Sequence, residues 1–148
     1  MGYTGIVEKG DRMGKPAMKK AFVVQPDGTR YVQEFQDSPL KILQEAVEGL
    51  IEPVDLANTL TMWVNEEGKL IGKTPNPFAT GAWFRKYDAP DIVVGTVVFT
   101  GGTDDEGETL GLPDEILAIL QELADKFFAN LTAEEIEQWQ EQWREAIQ

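Results

Sequence analysis

Apolar and polar positions alternate in some stretches of this chain and recur at helical spacing in others. Ala21 to Gln25 is a short apolar run, Pro26-Asp27-Gly28-Thr29 follows, and Arg30 to Phe35 then sets Tyr31, Gln33 and Phe35 on one face. Proline suits the second position of a turn and glycine supplies the positive φ that closes it, so the two runs predict a β-hairpin. From Ser38-Pro39 the period lengthens. Leu40, Leu43, Val47 and Leu50 share a helical face, with Ser38 as cap, Pro39 at the first helical position and Gly49 as the stop. Ile51 to Leu56 reads as a strand that Pro53 sends to an edge or a bulge.

Leu60, Met62 and Val64 alternate with Thr61, Trp63 and Asn65. With Lys69 to Gly72 beyond Glu66-Glu67-Gly68, they predict a second hairpin. Thr74-Pro75-Asn76-Pro77 breaks the chain, and Asn76 is placed to cap a short helix carrying Phe78, Trp83 and Phe84. Ile92 to Thr100 is nearly continuous Val, Ile, Thr and Phe, the pattern of a central strand covered on both faces. Gly101-Gly102 ends it. Pro113 to Phe128 then carries Ile116, Leu120, Leu123 and Phe127 on one stripe. The capping box Thr132-Ala133-Glu134-Glu135 opens a last helix with Ile136, Trp139, Trp143 and Ile147.

This order predicts an α+β fold: a mixed, largely antiparallel sheet with helices on one side and a C-terminal helical pair. Three units are expected. Residues 1–17 form a flexible leader, 18–112 the sheet domain, and 113–148 an acidic helical pair packed on that domain or extending it.

Composition removes several chemistries. Among 148 residues there is no cysteine and no histidine. Disulfides, thiolate nucleophiles, Cys-ligated zinc, Ser–His and Cys–His catalysis and HExxH metal sites are therefore excluded. No catalytic residue is nominated, no cofactor or metal is expected, and the chain reads as not an enzyme. Carboxylate-only acid–base hydrolysis is the catalytic alternative, but no facing carboxylates can be paired from spacing. The acidic run Asp104, Asp105, Glu106 and Glu108 fails calcium-loop spacing, because Gly107 at the loop's invariant glycine puts Pro113 where the bidentate Glu belongs. It reads as a solvated turn.

Charge changes the picture more. The net charge is −13, unevenly spread. Residues 1–20 carry five Lys/Arg against two Asp/Glu, residues 21–100 six against eleven, and residues 101–148 two against thirteen. An acidic end of this kind repels nucleic acid and anionic membranes and attracts basic surfaces. The simpler account is that it keeps a small protein soluble. No apolar stretch has the length of a membrane span or a signal sequence, so a cytoplasmic location is expected.

Several segments stand in order along the chain: Trp63-Val64-Asn65-Glu66-Glu67-Gly68-Lys69-Leu70, Pro75-Asn76 with Ala79-Thr80, Ile92 to Phe99, and Gly101-Gly102 with Gly107-Glu108-Thr109. On these residues, from about Phe22 to Asp114, the chain resembles an uncharacterised domain-of-unknown-function family of bacteriophages, mobile elements and Gram-positive bacteria. The resemblance implies an accessory protein of a phage or mobile element, acting in the host cytoplasm, and brings no activity with it.

Two groups of residues are candidates for binding. Asn76, Thr80, Trp83, Arg85 and Lys86, with Tyr87 beside them, combine polar donors, rings and cations in a Pro-bounded segment suited to a small nucleotide-like ligand. The same residues also satisfy capping and packing rules. Glu134, Glu135, Glu137, Trp139, Glu141 and Trp143 combine carboxylates with tryptophans, which are enriched at binding hot spots. The leading expectation is a non-enzymatic protein that binds a host protein with a basic surface through these helices, as a nucleic-acid mimic or an inhibitor of host defence. Direct nucleic-acid or membrane binding is not expected, and the C-terminal helices also suit a homodimer. The alternative is a protein that binds or sequesters a small nucleotide-like ligand.

Overall fold

A computed structural model describes residues 18–88 and 91–147. The leader, residues 1–17, lies outside the described residues. Five strands, β1 (Lys19–Val24), β2 (Arg30–Phe35), β3 (Ile51–Ala57), β4 (Leu60–Asn65) and β5 (Val97–Thr100), form one sheet in the order β2-β1-β5-β4-β3. Every pairing is antiparallel. Among the described residues four helices accompany the sheet: α1 (Leu40–Val47), α2 (Pro77–Lys86), α3 (Asp114–Ala129) and α4 (Ala133–Ala146).

The first hairpin forms as its turn residues dictate. Gln25 N–H donates to the Thr29 carbonyl at 2.8 Å, Thr29 N–H donates to Asp27 Oδ1 at 2.9 Å, and Gly28 takes φ +97°. A Cβ on Gly28 would also stand 3.1 Å from the Phe128 ring, so glycine lets α3 close over the turn.

Helices cover both faces of the sheet, not one side as expected. Phe22, Val24, Met62, Val97 and Phe99 face α2 and α3, through Phe78, Ala79, Leu117, Leu120 and Ala124. Ala21, Val23, Phe35 and Val98 face α1 on the other side, through Leu43 and Val47. The reason lies in β1, buried on successive residues from Ala21 to Val24, and β5, buried throughout, which therefore need cover above and below. Phe78 is the hinge of the larger cluster, its ring 5.7–6.1 Å from those of Phe99, Phe127 and Phe128. Each such side chain, removed from water, contributes on the order of 2 kcal/mol.

Two predicted strands differ. β4 pairs with β3 across the two-residue connection Asn58-Thr59, not with 69–72, which lie in a turn. Asn65 ends β4 and diverts the chain. Its Nδ2 donates to the Val47 carbonyl at 3.0 Å and the Glu48 carbonyl at 3.4 Å, closing the end of α1, while Oδ1 accepts from Glu67 N–H at 2.8 Å. The long apolar run 92–100 is buried as expected, but only Val97–Thr100 is strand. Gly95 turns the backbone with φ +81°, and Val94 bridges to Pro75 instead. At α1 the left-handed residue is Glu48, φ 63°, rather than Gly49, and at the helix start Ser38 Oγ accepts from Leu40 N–H at 3.2 Å.

Candidate functional site

The α2 segment shows how a polar, aromatic and cationic group can be divided among separate tasks. Asn76 is completely buried. Its Oδ1 accepts from Ala79 N–H at 3.0 Å, capping α2, and its Nδ2 donates to the carbonyls of Val24 at 3.1 Å and Gly95 at 2.9 Å. All of its strong hydrogen-bonding capacity toward the helix and the sheet is thus spent on backbone. Thr80, also buried, accepts from Val93 N–H at 3.1 Å through Oγ1 and holds the 92–94 run against α2. Trp83 is half-buried with its ring 4.3 Å from that of Tyr87, whose hydroxyl donates to the Asp55 carbonyl at 3.0 Å.

Arg85 and Lys86 lie exposed in the last turn of α2, where cations suit the helix dipole. Both line a cavity of about 280 Å³ between α2, α3 and the β3–β4 end of the sheet. Its walls are apolar: Leu56, Leu60, Phe78, Ala82, Phe99, Leu120, Leu123 and Phe127. Trp83 borders a different hollow, with Glu52, Glu66, Glu67, Lys69 and Asp91, across which Lys69 pairs with Asp91. The five α2 candidates therefore do not converge. Two hold the fold, one borders a second hollow, and two reach the apolar cavity. The cavity walls were missed as a site because strand ends and a helix stripe read as core. The one local signal was Gly81, a glycine inside a helix.

The C-terminal candidates also divide. α4 is anchored by Gln140, whose Nε2 donates to the carbonyls of Pro26 at 2.9 Å and Pro75 at 3.2 Å, and by Arg144, which donates to Thr74 Oγ1 at 3.0 Å. Glu135 closes the capping box with Thr132. Ile136, Trp139 and Trp143 turn toward α2, lining a groove of about 350 Å³ with Phe84, Phe127 and Leu131. Glu134, Glu137, Glu141 and Glu145 repeat the same three-four-four spacing two residues away, about 200° round the helix. All four are exposed, on the face opposite the tryptophans. Glu145 belongs to this stripe although it was not among the sequence candidates.

Little cationic charge offsets these helices. The ion pairs of α3 and α4 are Arg30–Asp125, Lys126–Glu122 and Arg144–Glu141. Asp114, Glu115, Glu134, Glu135, Glu137 and Glu145 make no ion pair among the described residues. Elsewhere, a hydrogen bond from Lys73 and then its charge hold the Glu48 carboxyl below its ordinary value. The acidic loop closes on itself, Asp104 Oδ1 accepting from Glu106 and Glu108 N–H at 2.9 Å each. Among the described residues no group of three or more Asp or Glu is arranged to hold a metal ion, and no helix is long and apolar enough to cross a membrane.

A protein-family model described as "Domain of unknown function (DUF3846)" matches residues 18–127. No curated protein and no solved structure matches the chain.

Proposed function

The chain belongs to this family of unknown function, DUF3846, and on that footing we propose that it works without catalysis, as an accessory protein of a phage or mobile element that docks on a basic surface of a host macromolecule in the cytoplasm. The observation that carries this reading is the stripe Glu134, Glu137, Glu141 and Glu145, exposed along the outer face of a helix whose inner face is anchored. A rigid row of carboxylates attracts a complementary row of lysines or arginines and steers its approach.

Charge density chooses the kind of partner. Along the stripe a carboxylate recurs about every 5–6 Å. Duplex DNA carries one charge per about 1.7 Å of axis. The stripe alone is thus roughly threefold too sparse to imitate a duplex, and suits a basic patch on a protein such as a host defence or nucleic-acid-binding factor. Mimicry proper would need the carboxylates of α3 as well. A homodimer would use the opposite face of α4, Trp139 and Trp143 with Phe84, and leave the stripe free.

Purified wild type and a variant carrying Glu→Gln at 134, 137, 141 and 145 serve as baits for host lysate at about 50 mM and about 500 mM salt. The expected result is a basic host protein held by wild type at low salt only and not held by the variant. Recovery of the same proteins by both baits, or at both salt concentrations, overturns the reading. The nucleotide-like alternative finds less support. Asn76 and Thr80 are occupied by backbone, and the cavity that Arg85 and Lys86 reach adds no other polar side chain to read a base or sugar.

A further inference from the structure

The cavity between α2 and α3 is apolar within and cationic on one side of its mouth, in a chain of net charge −13. The side chains of Arg85 and Lys86 make no hydrogen bond or ion pair among the described residues. Arg30, Lys69, Lys73, Lys126 and Arg144 each have a carboxylate partner, whereas Lys20 and Lys41, elsewhere on the molecule, are unpaired among the described residues as Arg85 and Lys86 are. Two adjacent cations left unpaired beside an apolar hollow have the wrong chemistry for the acidic-face partner and the right chemistry for an anion with an apolar body.

Gly81 adds an independent observation. It lies inside α2, where glycine is among the least favourable residues for a helix. Its φ is not left-handed, and a Cβ built on it would meet nothing within 4 Å. Neither backbone conformation nor crowding requires glycine there. Gly81 lines the cavity with open space about the position of a Cβ, and Gly81 and Phe127 line both this cavity and the groove beside Trp139. A larger side chain at 81 would stand in that opening.

We propose that this cavity is a binding site for a small amphipathic carboxylate, its apolar chain or ring seated against Leu60, Phe78, Leu120, Leu123 and Phe127 and its head group at Arg85 and Lys86. The volume of about 280 Å³ fits a small molecule rather than a bulky lipid. The guanidinium of Arg85 offers paired donors in the geometry a carboxylate accepts, and Lys86 adds a second charge. The site is independent of the acidic stripe, which lies on another face of a different helix.

The test is an NMR titration of the full chain with decanoate, decanol and decyltrimethylammonium, each below the concentration at which it forms micelles. Decanoate is expected to give saturable shifts at residues 81–86 and 120–127, binding about tenfold more tightly than decanol, with the cation weakest. Arg85→Gln with Lys86→Gln should lower decanoate to the level of decanol and leave decanol unchanged. Gly81→Leu, at a position with room for a side chain and a gain in helix propensity, should abolish binding of both while melting no lower than wild type. The proposal is overturned by absence of saturable shifts, by equal affinity for the acid and the alcohol, by decanoate binding that survives the charge substitutions, or by shifts confined to Trp139 and Trp143.

Discussion

Asn76→Ala tests whether this residue holds the fold or serves a ligand. The substitution removes the cap of α2, worth about 1 kcal/mol. It also removes two buried bonds to the carbonyls of Val24 and Gly95, at 3.1 and 2.9 Å. Each is worth about 1 kcal/mol, and more where the carbonyl finds no other partner. The expected loss is about 3–5 kcal/mol, a large share of the roughly 5–15 kcal/mol that holds a domain of this kind together. With a urea m-value of about 2 kcal/mol per M, the unfolding midpoint should fall by about 2 M. Asn76→Ser separates the two roles, because its hydroxyl can still accept from Ala79 N–H but cannot reach both carbonyls. It should recover about 1 kcal/mol of the loss. A midpoint for Asn76→Ala within about 0.5 M of wild type would refute the reasoning and return the residue to the list of ligand candidates.

The remaining predictions concern the end of α1. Asn65→Ala should cost about 2 kcal/mol by urea unfolding, since it frees the carbonyls of Val47 and Glu48 and the N–H of Glu67. A Cβ on Gly49 would stand 2.8 Å from Asn65 Nδ2, so Gly49→Ala should be much less harmful in the Asn65→Ala background; additive losses would rule that contact out. Glu48 holds φ 63° without being glycine. Glu48→Gly should relieve about 1 kcal/mol of strain, which outweighs an ion pair to Lys73 whose carboxylate side is 71% exposed, and a lower midpoint than wild type would contradict this. The pH dependence has a definite sign. Lys73 holds the Glu48 carboxyl below its ordinary 4.5, so the pair stabilises the folded state above that value and loses its effect as pH falls through the depressed one. The stability difference between wild type and Lys73→Met should therefore be small, constant near neutrality and vanishing in acid. A difference that grows as pH falls would reverse the assignment.

Local signals account for the elements that were legible in the sequence. The turn Pro26-Asp27-Gly28 and the box Thr132 to Glu135 carry their hydrogen bonds within a few residues, and both form as read. The stripe Ile116, Leu120, Leu123 and Phe127 faces the larger core cluster as its spacing implies. What could not be read depends on distant partners. The β3–β4 connection Asn58-Thr59 has neither glycine nor proline to announce it, and Lys69 to Gly72 resembles a strand until Asn65 is seen bonding to α1 18 residues away. Half of Asn76 was visible, its cap at Ala79. The other half reaches 52 and 19 residues along the chain. The helices on two faces were implied by the continuous apolar runs of β1 and β5, a stronger signal than the element order that suggested one side. The cavity lies where α2 and α3 come together through the rings of Phe78 and Phe127, with Gly81 along its wall, a property of tertiary packing that no single periodicity contains.

Several of the residues that carry the family resemblance have a structural task. Asn65 closes α1, Asn76 and Thr80 tie α2 to the sheet and to the 92–94 run, and a Cβ on Gly68 would stand 2.8 Å from Val94. At Gly101 and Gly102 a Cβ would stand 2.3 Å from the Gly111 carbonyl oxygen and 2.1 Å from that of Asn58. These residues build a scaffold, and the surfaces proposed for binding are ones that it leaves free. Two such surfaces are present, and they differ in origin. The cavity is walled by residues inside the matched span, 18–127, whereas the carboxylate stripe lies on α4, beyond it. Gln140 fastens α4 to the carbonyls of Pro26 and Pro75, so the stripe is presented rigidly without sharing a wall with the cavity. Substitutions on one surface should accordingly leave the other untouched: the Glu→Gln stripe variant keeps carboxylate binding, and the Arg85→Gln, Lys86→Gln variant keeps the basic partner. A loss that crosses from one to the other would mean that the two helices act as a single site, through the groove that Phe127 and Gly81 share.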